Sequence, residues 1–136
     1  MSFNVMANDI SVDVTSNTLE VERNSGTAIF IGDVKALYKN VTLTSEKLII
    51  NYDEKADSKN KIKTIVAIKD VVLIQGTDKV TSKKAEYFVG KNEVIFTDDV
   101  VLNRNGNILK GDHLTMNTVT KQAKMKASGT NRVKAV

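Results

Sequence analysis

One spaced pattern recurs three times in this chain of 136 residues, opening each time on an Asp-Val step: Asp33-Val34, Asp70-Val71 and Asp99-Val100. Twelve residues after each Asp stands a small residue (Ser45, Ser82, Gly111). At fifteen and seventeen stand Leu48 and Ile50, Ala85 and Tyr87, Leu114 and Met116. A register kept through three copies means one strand-turn-strand unit stacked on itself, because a single unit has nothing against which to bury its apolar face. The chain is therefore expected to form one array of antiparallel strands, closed or folded over.

The length fits a single domain over residues 1–136, with 1–8 read as an unordered lead-in or an added start. Val, Ile and Thr make up roughly a third of the residues, and such side chains suit a pleated, half-buried surface. With no Pro, no strand is barred from the ladder by a missing N–H, so edge protection falls to charge, for which the many Lys residues serve. With no Cys, disulfides, thiolate chemistry and sulfur-ligated metals drop out. Residues Met1 to Met6 lack the basic and apolar regions of a leader, and no run is long and apolar enough to span a bilayer.

Strand alternation is plain in Ile10-Ser11-Val12-Asp13-Val14, the expected first strand. Leu19–Glu22 and Thr27–Phe30 flank Arg23-Asn24-Ser25-Gly26 as a hairpin. Lys39-Asn40, Gly76-Thr77-Asp78 and Asn105-Gly106 fall at one repeat position and predict three turns in line. A second tier of turns holds Gly90-Lys91-Asn92 and Thr120-Lys121; in its place the first copy has a longer polar loop, 53–61, expected at the surface. Apolar residues one, three and ten after each Asp have mixed parity with those at fifteen and seventeen. The inward face must therefore switch near the small residue at twelve, which predicts a bend or bulge at Ser45, Ser82 and Gly111.

Little in the chain points to chemistry. The single His113 occupies a repeat position filled elsewhere by Lys47 and Lys84, which reads as solvent-facing. One His and no Cys leave no metal-ligand set, and no nucleophile motif accompanies it, so neither a catalytic residue nor a metal nor a cofactor is expected. Asp98-Asp99 resembles a carboxylate pair, but Asp99 recurs as Asp33 and Asp70, as a structural repeat position does. The 53–61 loop lacks the Gly and terminal Glu of a calcium loop, and Gly26 and Gly32 form no phosphate loop. A net charge of +4 permits an anionic partner, yet the aromatics do not interleave with Lys or Arg on one face as a nucleic-acid platform requires. Nucleic acid is not an expected partner. Tyr52 and Tyr87 sit at apolar offsets and read as lining or core.

Several segments resemble the OstA-like family of lipopolysaccharide transport proteins, and its LptA branch most. Ile10-Ser11-Val12, then Leu19, then Phe30-Ile31-Gly32-Asp33-Val34 is similar to that family's opening strand pair and Phe-x-Gly-Asn-Val step. Ser45-Glu46-Lys47-Leu48 resembles its Ala-Asp-Lys-Val, Gly111-Asp112-His113-Leu114-Thr115-Met116 its Gly-Asp-Lys-Ile-Thr-Tyr, and Arg132-Val133 its final strand. Asp33 replaces the family's Asn, and Lys69 and Asp98 stand where Gly is often found.

The resemblance implies an all-β fold, a single open, clam-like β-jellyroll of antiparallel strands, located in the periplasm. It implies a non-enzymatic carrier that shelters the lipid A acyl chains of lipopolysaccharide in an apolar groove and forms part of outer-membrane biogenesis. Ile10, Val12, Phe30, Val34, Val71, Leu73, Tyr87, Val100, Leu102, Leu114 and Met116 are the expected groove residues; rim residues such as Lys35, Arg104 and Lys110 could add attraction for lipid phosphates, but each taken singly reads as a solvated side chain and none is assigned to a phosphate. It further implies a head-to-tail homo-oligomer with Arg132 and Val133 on the assembly edge, capped by LptC-like inner-membrane and LptD-like outer-membrane proteins. Three readings compete with the bridge: an LptC-like ectodomain of the same pathway, a ligand-free β-repeat scaffold with a filled interior, and an oligonucleotide-binding barrel.

Overall fold

Strand follows strand through the computed structural model, which describes residues 2–7, 10–22, 26–38, 40–52, 62–129 and 131–135, with backbone alone in 2–11. The strands are β1 (Ser2–Ala7), β2 (Ile10–Thr15), β3 (Thr18–Glu22), β4 (Thr27–Tyr38), β5 (Val41–Tyr52), β6 (Ile62–Gln75), β7 (Asp78–Phe88), β8 (Glu93–Arg104), β9 (Asn107–Asn117), β10 (Ala123–Lys126) and β11 (Lys134–Ala135). They form one antiparallel sheet in the order β1-β2-β4-β5-β6-β7-β8-β9-β10, with β3 also on β4 and β11 also on β9. Sequence neighbours thus pair in space, as a repeat array requires. Where the sequence suggests no order before residue 9, Ser2–Ala7 pairs with β2. The turn at 23–25, Lys39 and the 53–61 loop lie outside the described residues.

The Asp-Val step marks a kink. Gly32 and Asp33, Lys69 and Asp70, and Asp98 and Asp99 all have positive φ, from 46° to 86°. Each pair stands where the register shifts: Ile31 faces Lys47 and Val34 faces Ser45, so two residues of β4 oppose one of β5. The shift returns between Ile68 and Val71 and between Thr97 and Val100. Asp tolerates the left-handed region better than most residues, which accounts for its recurrence. On the intervening strands the small residue makes the bend: Ser45 Oγ donates to the Lys47 carbonyl (2.9 Å) and Ser82 Oγ to that of Lys84 (3.0 Å). Ser16 donates in the same way to Thr18 (2.9 Å), so β2 and β3 are two halves of one kinked strand. Gly111 replaces Ser in the last copy because a Cβ there would sit 2.6 Å from Met125 Cγ on β10.

The predicted switch of face follows. Buried residues keep even numbers through β4 (Ala28, Phe30, Val34, Ala36), but on β5 they change from Ser45 to Leu48 and Ile50. The kinks let the sheet fold back on itself. β8 would separate its ends by on the order of 35 Å if straight, and Glu93 at its start pairs with Asn117 beside the 118–121 turn. Yet Arg104 at its far end donates through Nη2 to the Lys121 carbonyl at 3.1 Å. The two halves of each long strand therefore face each other as two walls joined along the kink line, and at the β8 end Arg104 bridges their tips. Phe30, Phe96, Leu48, Leu102 and Leu114 are among the side chains fully buried between them.

Candidate functional site

Two rows of side chains, one from each wall, decide what the interior contains. On the first wall the ladder aligns Phe30, Leu48, Ala67, Ala85, Phe96 and Leu114. On the facing wall it aligns Ala36, Leu43, Leu73, Val80, Leu102 and Leu109. Where the first and third copies of the repeat supply Phe and Leu, the middle copy supplies Ala67 and Ala85. Two adjacent Ala side chains leave the centre of that wall short of volume, and the walls do not close over it.

A cavity of about 410 Å³ occupies that gap. Ala36, Leu43, Leu48, Ile50, Ile65, Ala67, Leu73, Ala85 and Val94 line its body, and Tyr38, Asn40, Gln75, Asn92, Thr118, Val119 and Lys121 line it at the strand tips. Its walls are thus hydrocarbon and its polar groups sit at the mouth. Tyr87, half-buried, also lines it, and burial raises its phenol pKa above the ordinary value, a hydrogen bond with Thr118 acting in the opposite sense. Burial likewise raises that of Tyr52.

One side of the mouth is tied shut. Arg104 binds Asp78 through Nε and Nη2, both at 2.9 Å, and the same Nη2 reaches the Lys121 carbonyl on the opposite wall. The hydrogen bond to Asp78 raises the Arg104 pKa further above its usual value. Asp78, assigned to a turn from sequence, is instead the buried first residue of β7. The exposed Lys83–Asp99 pair at 3.1 Å ties no second wall and contributes little.

Of the residues singled out from sequence, Val12, Leu73 and Tyr87 line the cavity. Phe30, Val34, Val71, Val100, Leu102, Leu114 and Met116 are buried in the core and are not among its lining residues. They pack along the kink line or in the filled flanks, where large side chains meet. The Ile10 side chain lies outside the described residues. The alanines that create the space escaped a search for large apolar side chains; the signal was a change of size at one repeat position, Phe30 and Phe96 against Ala67. Lys35 and Lys110 are exposed, while Arg104 is engaged as described. Arg132 and Val133 are exposed in the connection before β11 and not in a strand. Asp112 on β9 accepts from Ser128 N (2.7 Å) and Asn131 Nδ2 (3.3 Å), tying that connection to β9. His113 is exposed, and among the described residues no group of three or more His, Asp or Glu side chains converges.

An open sheet folded over an apolar slot defines a β-jellyroll of the kind built from stacked repeats. Residues 13–122 match the family described as LptA/(LptD N-terminal domain) LPS transport protein, and the chain belongs to that family. It is 30% identical over 111 residues to the uncharacterized protein RP507 of Rickettsia prowazekii (strain Madrid E), covering 79% of this chain and 76% of that one. Among solved structures it is similar in fold to LptH of Pseudomonas aeruginosa, described as the LptA homologous periplasmic component of the conserved lipopolysaccharide transport device. The TM-score is 0.79 at 19% identity, over 92% of this chain and 93% of the other. The OstA-like resemblance and the jellyroll expected from sequence are both met.

Proposed function

We propose that this protein is a periplasmic carrier that shelters the acyl chains of lipopolysaccharide between its two walls and hands the lipid on without making or breaking a bond. The hydrocarbon-walled cavity with polar groups confined to its mouth supports this reading most directly. Each methylene taken out of water contributes roughly 0.8 kcal/mol, so a sheltered chain is held firmly with no directional chemistry. Family membership supports the pathway, and the periplasmic setting of LptH supports the compartment. A scaffold without ligand calls for a filled interior, which the cavity argues against.

In the same reading, copies associate head to tail through open sheet edges, β1 of one against the β10–β11 side of the next, and LptC-like and LptD-like jellyrolls cap the row. Arg132 and Val133 lie on that side. Leu73→Asp places a charge on the cavity wall. Co-purification with lipopolysaccharide should fall at least tenfold while the circular dichroism spectrum stays that of a β protein; wild-type lipid content in a folded Leu73→Asp protein would overturn the reading.

A further inference from the structure

We infer that the cavity holds one acyl chain at a time, a single unbranched chain of about sixteen carbons, in the space opened by Ala67 and Ala85. This rests on the carrier reading and adds the capacity and shape of the site. A cavity of roughly 150 Å³ is known to take a six-carbon benzene, and at that ratio 410 Å³ accommodates about sixteen carbons, with no room for a second chain.

The shape agrees with the volume. The lining runs from Val12 on β2 to Val94 on β8, five strand steps in the sheet order, a path on the order of 20 Å at about 4.8 Å per step once the fold of the sheet shortens it. A zigzag of sixteen carbons with bonds of about 1.5 Å has the same order of length. Widening is opposed on the side where Arg104 joins Asp78 to the Lys121 carbonyl across the mouth. Beyond Ala85 the first wall returns to Phe96 and Leu114, both fully buried and absent from the lining, which leaves the slot on that side only the residues nearer the tips, Asn92, Val94 and Thr118. A headgroup stays at the mouth, among Asn40, Gln75, Asn92 and the side chain of Lys121. A lipid with several chains is therefore gripped by one of them in each copy of the protein.

The test is a titration of the full chain with dodecanoate, palmitate and arachidate below their micellar concentrations, read by native mass spectrometry and calorimetry, with lipopolysaccharide as a parallel arm. Palmitate should saturate at one per chain and bind about two hundredfold more tightly than dodecanoate, as four further sheltered methylenes require. Arachidate should bind no more tightly than palmitate, its extra carbons finding no wall. Ala67→Phe combined with Ala85→Leu, which copies the flanking repeats, should keep the fold and lose palmitate binding at least a hundredfold. Two or more palmitates per chain, affinity still climbing to arachidate, or undiminished binding in the folded double variant would each overturn the inference. Lipopolysaccharide binding that palmitate does not displace would overturn it and leave the carrier reading standing. Palmitate binding at one per chain with no capture of lipopolysaccharide would support it and overturn the carrier reading.

Discussion

The middle and the flanks of the first wall are built from the same repeat and do opposite things. At equivalent positions the outer copies place Phe30 with Leu48 and Phe96 with Leu114, and the middle copy places Ala67 with Ala85. The backbone is alike in all three: a pair of left-handed residues on one strand, and Ser or Gly at the bend of the next. The space between the walls is thus a matter of side-chain volume laid over an unvarying frame. A repeat array can acquire a pocket in one copy without disturbing its neighbours, because each strand pair is held by its own ladder.

That contrast is broken most forcefully by emptying a flank. Phe96→Ala removes a fully buried ring from the filled end and should cost about 3–5 kcal/mol, whereas Leu73→Ala enlarges a space already present and should cost about 2 kcal/mol. Urea unfolding midpoints compare the two, and equal losses would mean that the centre is packed as tightly as the flank. Arg104→Ala comes next. It leaves the Asp78 carboxylate buried without its partner, but the Arg104 side chain is 36% exposed, so the loss should be about 2 kcal/mol rather than the 3–5 of a fully buried pair. A matching rise in hydrogen exchange at the 118–121 turn would report the walls parting there; unchanged exchange would mean that Arg104 does not hold them.

The smallest effect lies on the frame. Gly32 occupies the first left-handed position in the first copy without strain, while Lys69 (φ 69°) and Asp98 (φ 68°) occupy it with side chains. Asp98→Gly should raise stability by about 0.5 kcal/mol, the relief of the left-handed position exceeding the added freedom of the unfolded chain. Thermal unfolding of this variant beside Lys69→Gly checks it, and a fall in both melting temperatures would show that the side chains at these positions hold the kink.

Much of this frame was legible because it rests on spacing. The Asp-Val step, the small residue at twelve and the change of parity beyond it predicted a switch of face, and the bends at Ser45, Ser82 and Gly111 are its cause. The cavity was less so, because a hollow is recorded by what is missing. Large apolar residues such as Phe30 and Leu102 are fully buried in the core and are not among those that line the cavity. Ser16 also went unread, since the Asp-Val step before it, Asp13-Val14, stands three residues away instead of twelve and gives it no place in the repeat. The tie from Asp78 through Arg104 to Lys121 joins the start of β7 and the end of β8 to the 118–121 turn, and only the folded sheet brings them together.

A crease made afresh in every strand, from two or three residues of that strand, holds no record of how many strands there are. Each added hairpin would inherit the bend and extend the trough by its own width, and each deletion would shorten it by as much. Such a body can be lengthened or trimmed by whole modules while its cross-section stays the same, in the way a gutter is cut to the length of a roof.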